Sequence, residues 1–148
     1  MESKNILVTT DFSEVSFAAL NYAAKMQGNQ ITILSIVQTG EVPPDLLKQM
    51  PNPTATQEYR EGVLKQTKDK LESIVKKYFP DMNVRSEVII GTEDPAEEIC
   101  KYANDNVIDT IVMTGQGRNA LGNFFIGSTV QKVLRMTKHP VLIVPKNS

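Results

Sequence analysis

Short runs of apolar and β-branched residues alternate along this chain with longer stretches in which apolar residues recur every three or four positions. The short runs are typical of buried strands, and the recurring spacing is typical of amphipathic helices. Five runs predict strands, in chain order residues 5–9, 30–37, 83–90, 107–113 and 141–144. Because a helical pattern separates each run from the next, the order predicts a five-stranded parallel α/β sandwich with right-handed crossovers.

The helical patterns carry recognisable start and stop signals. Ser13 is a good N-cap for the first helix, and Gly28 closes it. The longest helix starts at residue 54 or 56 and runs to residue 79, where Pro80 stops it. Asp94 caps a third helix, which has proline at its first position, and a last helix follows the glycine at position 127.

Two strands and one connection have distinctive patterns. The run at 83–90 alternates apolar positions with Arg85 and Glu87, which predicts an edge strand. The run at 141–144 is uniformly apolar. Residues 38–53 contain four prolines and a glycine, so we expect an exposed connection there, with a lid as the alternative.

The stretch at 111–131 places glycines between a strand and a helix start. Gly115 and Gly117 follow an apolar run, and Ser128 begins a helical pattern that includes Gln131. Glycines let backbone N–H groups approach a ligand, and a helix start adds unpaired N–H groups and a positive dipole end, so the stretch fits a phosphate cradle. Ser128 with Gln131 also fits a plain capping box, and glycines after a strand also form simple turns. Both interpretations stay open on spacing alone.

Asp11 is a second candidate for ligand binding. It follows the first strand directly, and open α/β sheets bind ligands at the carboxyl ends of their strands. The alternative is that Asp11 only caps the helix together with Ser13. The residues themselves do not decide between these two roles.

Composition narrows the functional classes. The 148 residues suit a single domain, 1–148, and 16 basic against 17 acidic residues imply no nucleic-acid-binding surface. Cys100 is the one cysteine and His139 the one histidine, so an internal disulfide is excluded, and a zinc site or a Cys/His or Ser/His catalytic pair is disfavoured. No apolar run approaches the roughly 18 residues of a membrane span, and no targeting segment stands at the N-terminus, so we expect a cytoplasmic protein without a membrane partner.

Two motifs resemble those of the universal stress protein family. Val8 to Ser13 reads V-x-T-D-x-S, and Gly117 is followed, after nine residues, by Gly127 and Ser128. The resemblance extends over residues 6–144 and implies a three-layer, doubly wound, Rossmann-like sheet of the adenine nucleotide alpha hydrolase-like type, with strand order 3-2-1-4-5. That order brings Asp11 and the Gly115 loop, about a hundred residues apart, to one switch point.

The resemblance also implies ATP as the ligand, with or without Mg²⁺. Adenine is expected near Thr10, Asp11 and the backbone of Val37, and the phosphates near the glycine loop. The implied binding residues are Thr9, Thr10, Asp11, Val37, Met113, Thr114, Gly115, Gly117, Arg118, Gly127, Ser128 and Thr129. Arg118 could donate to a phosphate oxygen, or it could be an ordinary surface arginine.

The chain departs from the family signature at position 114, where the first glycine is replaced by Thr114. If that position needs a positive φ, a β-branched residue is strained there by about 1 kcal/mol or more. We then expect Gly115 to take over the turn one residue later, and nucleotide binding to be retained but weakened. Gln116 stands where a histidine is common in the family.

Three functional classes follow. The first is a nucleotide-binding regulatory protein of stress responses, and the second is an interaction module that acts on unknown protein partners without a ligand. The third is a slow ATP hydrolase, disfavoured by the missing Walker lysine and the lone histidine. The apolar strand from Val141 to Val144 falls at a sheet edge in the implied order, so we also predict a homodimer formed through it.

Overall fold

A computed structural model describes residues 3–38, 53–91, 93–118 and 121–146. The elements, in chain order, are β1 Asn5–Thr9, α1 Phe17–Ala23, β2 Gln30–Gln38, α2 Pro53–Tyr78, β3 Val84–Gly91, α3 Pro95–Asp105, β4 Thr110–Gly115, β5 Gly117–Arg118, β6 Phe124–Phe125, α4 Ser128–Met136 and β7 Val141–Pro145. Most of the predicted proline-rich connection, at 39–52, lies outside the described residues.

The main sheet has five parallel strands in the order β3-β2-β1-β4-β7. Counted along the chain this is the order 3-2-1-4-5, so the predicted fold is confirmed. β5 and β6 form a separate antiparallel pair in which Gly117 faces Phe125. This small pair lies between β4 and α4 in the sequence, within the glycine-bearing stretch.

Two hydrophobic clusters, one on each face of the sheet, form the core. On one face, Leu7 and Ile111 pack with residues of α3 and α4. On the other face, Ile6, Val8 and Val112 pack with residues of α1 and α2. Successive strand residues point to opposite faces, and both faces are covered, which explains why the central strands are apolar at nearly every position.

The two border strands differ in polarity. Arg85, Ser86 and Glu87 are exposed in β3, as expected for an edge strand. β7 lies at the opposite border, hydrogen-bonded to β4, and its residues from Val141 to Val144 are half-buried.

Three predicted boundaries are wrong. α1 ends at Ala23, so Gly28, although it has a positive φ of 87°, does not close the helix. α1 begins at Phe17 rather than near Ser13, because the turn before it is tighter: the N–H of Ser16 donates to the carbonyl of Ser13, three residues back (3.1 Å). β4 begins at Thr110, and Val107 is 78% exposed, so its β-branched side chain does not belong to the strand.

α3 has the predicted start and buried face. The carboxylate of Asp94 accepts a hydrogen bond from the N–H of Ala96 (2.9 Å), as an N-cap does. Cys100 is buried on the inner face, and burial raises the pKa of its thiol. Within the described ranges, no helix combines the length and apolar character needed to cross a membrane.

Candidate functional site

A cavity of about 250 Å³ opens at the carboxyl ends of β1 and β4. These two strands are neighbours at the centre of the sheet. The helix after β1, α1, packs on one face, and the helix after β4, α4, packs on the other. The chain therefore leaves the two strands in opposite directions, which opens a crevice of the kind in which doubly wound sheets bind ligands.

Half of the residues predicted to bind the ligand line this cavity: Thr9, Thr10, Asp11, Met113, Thr114 and Thr129. Four others do not line it: Val37, Gly115, Gly127 and Ser128. Gly117 and Arg118 form β5, and the side chain of Arg118 lies outside the described structure, so its contact with a phosphate remains a prediction. The structure thus joins the first-strand motif to the end of β4, as the strand order required.

The turn after β1 gives Asp11 a fixed position. Its Oδ1 accepts hydrogen bonds from the N–H (2.9 Å) and the hydroxyl (2.5 Å) of Ser13. Phe12 adopts a left-handed backbone, with φ of 67°, and its N–H donates to the hydroxyl of Thr10 (3.1 Å). Asp11 therefore organises the turn and also lines the cavity, so the two roles considered for it from the sequence are compatible.

A chain of hydroxyl groups connects β1, the head of α1 and β4. The hydroxyl of Ser16 donates to the carbonyl of Ser13 (2.7 Å) and lies 2.7 Å from the hydroxyl of Thr10, which must then be the donor in that pair. The hydroxyl of Thr114 donates to the carbonyl of Ser16 (3.2 Å) and accepts from the N–H of Ala19 (2.9 Å). These internal bonds hold the polar wall of the cavity in place.

Thr114 is unstrained, so the expected conflict at this position is wrong. It continues the regular β4 strand opposite Val144, and Phe12 is the only non-glycine residue with positive φ in the described part of the chain. Gly115 is the last residue of β4, opposite Pro145, and does not make a displaced turn. The positive φ that the loop needs is found instead at Gly122 and Gly127.

The start of α4 also differs from the predicted capping box. Its N-cap is Gly127, with φ of 88°, and Ser128 is the first helical residue. A Cβ atom placed on Gly127 would lie 2.6 Å from Cγ of Gln116, so this glutamine side chain packs directly against the glycine. Gln116 also lines the cavity.

The remaining wall is largely apolar, and sequence reasoning did not assign it to the site. Leu34 and Ile36 come from β2, and Ile99 and Val130 come from α3 and α4. Leu34 and Ile36 could have been assigned from the implied strand order, because β2 neighbours β1 and its carboxyl end must border the same crevice. The contribution of Ile99 depends on how α3 packs on the sheet, which periodicity does not reveal.

One ion pair joins the two helices beside the cavity. Nζ of Lys132 in α4 lies 2.8 Å from Oδ2 of Asp94, the residue before the cavity-lining Pro95. The hydrogen bond from Lys132, and next the one from the Ala96 N–H, hold the pKa of the Asp94 carboxyl below its ordinary value of 3.8. The pair therefore links the N-cap of α3 to the middle of α4.

Groups suited to metal binding or proton transfer are scarce near the cavity. Within the described ranges, no cluster of three or more His, Cys, Asp or Glu residues could hold a metal ion. His139 precedes β7, a strand parallel to β4, so it lies at the amino ends of the strands. The cavity lies at their carboxyl ends.

The chain is similar to known proteins over nearly its whole length. The sequence model of the Universal stress protein family matches residues 2–145. The universal stress protein MJ0577 of Methanocaldococcus jannaschii is 29% identical, with 98% of this chain and 96% of that protein covered. The universal stress protein YxiE of Bacillus subtilis is 28% identical, with 94% and 97% covered.

Solved structures agree with the sequence comparisons. The MJ0577 structure superimposes with a TM-score of 0.75 at 26% identity and covers 100% of this chain and 99% of its own. A universal stress protein from Archaeoglobus fulgidus, solved in complex with dAMP, gives a TM-score of 0.63 at 16% identity, covering 97% and 99%, a level that supports the fold alone.

Proposed function

This chain belongs to the universal stress protein family, and from that premise we propose that it is a regulatory protein of stress responses that binds ATP in the cavity between β1 and β4. The observation that carries the proposal is the meeting of Asp11, after β1, with Met113 and Thr114, at the end of β4, around one cavity. Doubly wound sheets bind their nucleotides at this switch point.

The walls of the cavity suit the parts of an adenine nucleotide. Leu34, Ile36 and Ile99 offer apolar contact to a base, while Asp11 offers a carboxylate to polar groups of base and ribose. The phosphates then lie beyond the enclosed volume, toward Gly117, Arg118 and the start of α4, with or without Mg²⁺. The dAMP complex of the Archaeoglobus fulgidus relative supports an adenine nucleotide as the ligand class.

The proposal is binding without rapid catalysis. ATP hydrolysis requires a group that orients or deprotonates the attacking water. The one histidine lies at the amino ends of the strands, away from the cavity, and the described lining residues include a single carboxylate, that of Asp11. We therefore assign the protein a signalling role in which the nucleotide changes what the protein contacts.

The test is to identify and then titrate the ligand. Mass spectrometry of nucleotides released from freshly purified protein should detect an adenine nucleotide. Isothermal titration calorimetry with ATP, in the presence and absence of Mg²⁺, should give a saturable signal. The proposal fails if no nucleotide co-purifies and no heat is measured at about 1 mM ATP, where a dissociation constant corresponds to a binding free energy of roughly −4 kcal/mol. That result would favour a ligand-free interaction module.

A further inference from the structure

Charge in the cavity is sparse and negative. Among the described residues that line it, Asp11 is the only one with a formal charge. Lys132, a cation of nearby α4, is already paired with Asp94 at 2.8 Å. The described lining therefore offers no cationic side chain to a phosphate group.

Gln116 lies at the boundary between the cavity and the start of α4. Its side chain lines the cavity and also packs on Gly127, where a Cβ would be 2.6 Å from its Cγ and 3.4 Å from its Nε2. Thr129 and Val130 of α4 line the cavity, whereas Gly127 and Ser128 do not. The glutamine therefore covers the N-cap backbone to which a phosphate group would have to come close.

The size of the cavity fits part of a nucleotide. Its volume of about 250 Å³ is below the roughly 300–1,000 Å³ of clefts that enclose whole ligands. The hydroxyls of Thr10 and Ser16 bond to each other, and those of Ser16 and Thr114 bond to backbone groups. The hydrogen-bonding capacity of this wall is therefore largely used within the protein. What the cavity offers is mainly apolar contact, one oriented carboxylate and the uncharged side chains of Thr9, Gln116 and Thr129.

We propose that this site selects adenine nucleotides by their nucleoside half, so that adenosine, AMP and ATP bind with similar affinity, and that Gln116 keeps the phosphate contribution small. The inference rests on the proposed function, because it presupposes an adenine nucleotide as ligand. It specifies that the protein responds to the adenosine moiety rather than to the length of the phosphate chain.

Calorimetric titration of the full chain with adenosine, AMP and ATP, with Mg²⁺ present, tests the selectivity. We expect ATP to bind no more than about tenfold tighter than adenosine, since both make the same contacts in the cavity. ATP binding more than about tenfold tighter than adenosine would overturn the inference and leave the proposed function intact. If none of the three binds, the proposed function fails together with the inference.

Gln116→Ala tests the role of the side chain, with Gln131→Ala as the matched control, because Gln131 is an exposed glutamine of α4 outside the cavity lining. Gln116→Ala should raise the ratio of ATP affinity to adenosine affinity by about fivefold or more, since only the phosphates gain access to the N-cap backbone. Gln131→Ala should change neither affinity. Equal changes for ATP and adenosine in Gln116→Ala would contradict the assignment, and Gln116→Ser serves as a second variant if the first folds poorly.

Discussion

The N–H of Ala19 donates a hydrogen bond to the hydroxyl of Thr114, 2.9 Å away, although the two residues are separated by most of the chain. Ala19 is the third residue of α1, so its N–H is one of the first four that have no partner within the helix. The N-cap residue Ser16 makes no capping bond with its own side chain. β4 therefore supplies the cap that the local sequence of α1 does not.

We predict that Thr114→Val destabilises the protein. Valine keeps the shape of the side chain but leaves a partly buried N–H without a partner, at a cost of about 1–3 kcal/mol in the free energy of unfolding. Thr114→Ser keeps the hydroxyl and should lose less than about 1 kcal/mol, the value of one methyl group. Urea denaturation measures both, and an equal loss in the two variants would show that the hydrogen bond is not what matters.

Substitution of Asp11 separates its two roles. Asp11→Ala should weaken ATP binding about 10- to 100-fold, the loss expected for a hydrogen bond to a charged group. Asp11→Asn retains an oxygen that can accept from Ser13 but removes the charge, and we expect it also to bind ATP about tenfold more weakly. Calorimetric titration decides: wild-type affinity in Asp11→Asn would mean that the residue acts only through the turn.

A methyl group at Gly127 should be costly for two reasons that can be distinguished. The φ of 88° disfavours any L side chain, by about 1–3 kcal/mol, and the new Cβ would collide with Gln116. In the Gln116→Ala background the collision is relieved and only the backbone strain remains, so Gly127→Ala should cost less there. A double-mutant cycle by chemical denaturation measures the difference, and equal costs in both backgrounds would indicate that the two residues are not in contact.

The ion pair between Lys132 and Asp94 predicts a pH effect. Because the pKa of Asp94 is lowered in the folded state, its contribution to stability is present above the unfolded value near 3.8 and is lost as the pH falls through the lower folded value. Lys132→Ala should raise the pKa of the Asp94 carboxyl toward 3.8, since the lysine hydrogen bond is the main cause of the shift. NMR titration of the carboxyl carbon would measure it, and Arg135→Ala, on the same helix, is the control.

The apolar border strand β7 predicts a homodimer formed through Val141 to Val144. Light scattering at micromolar concentration should report twice the mass of one chain. Val141→Lys should shift the protein toward monomer because it places a charge at the border strand. Val107→Lys is the matched control, since Val107 is 78% exposed and outside the sheet, and it should leave the mass unchanged. A wild-type monomer would exclude this interface.

The elements that were predictable from sequence are those whose signals are local. The bounds of β1, the start of α3 at Asp94 and the edge position of β3 each follow from period, capping chemistry or polarity within a few residues. The start of α1 is not predictable locally, because a tight turn at residues 13–16 precedes it and the N–H of Ala19 finds its partner in β4, at Thr114. The capping box at Ser128 failed because Gly127 takes the N-cap position with positive φ.

Only the part of the site that depends on strand order was predictable. Strand order brought Asp11 to the end of β4, because order alone determines which strand ends are neighbours. The packing of Gln116 on Gly127 depends on how a loop returns to the sheet, and neither residue signals it by type or spacing. The strain expected at Thr114 was wrong for a related reason, since a strand residue with a hydroxyl partner needs no unusual backbone.

The contrast between the two outer strands sets a limit on how far the sheet can be extended. Arg85 and Glu87 are exposed along β3, and a strand that paired there would have to displace water from both charges. Within the described main sheet, strand addition is thus favoured on the β7 side, and the homodimer predicted above would occupy that side in a single step. At higher protein concentration we therefore expect closed dimers and no filaments.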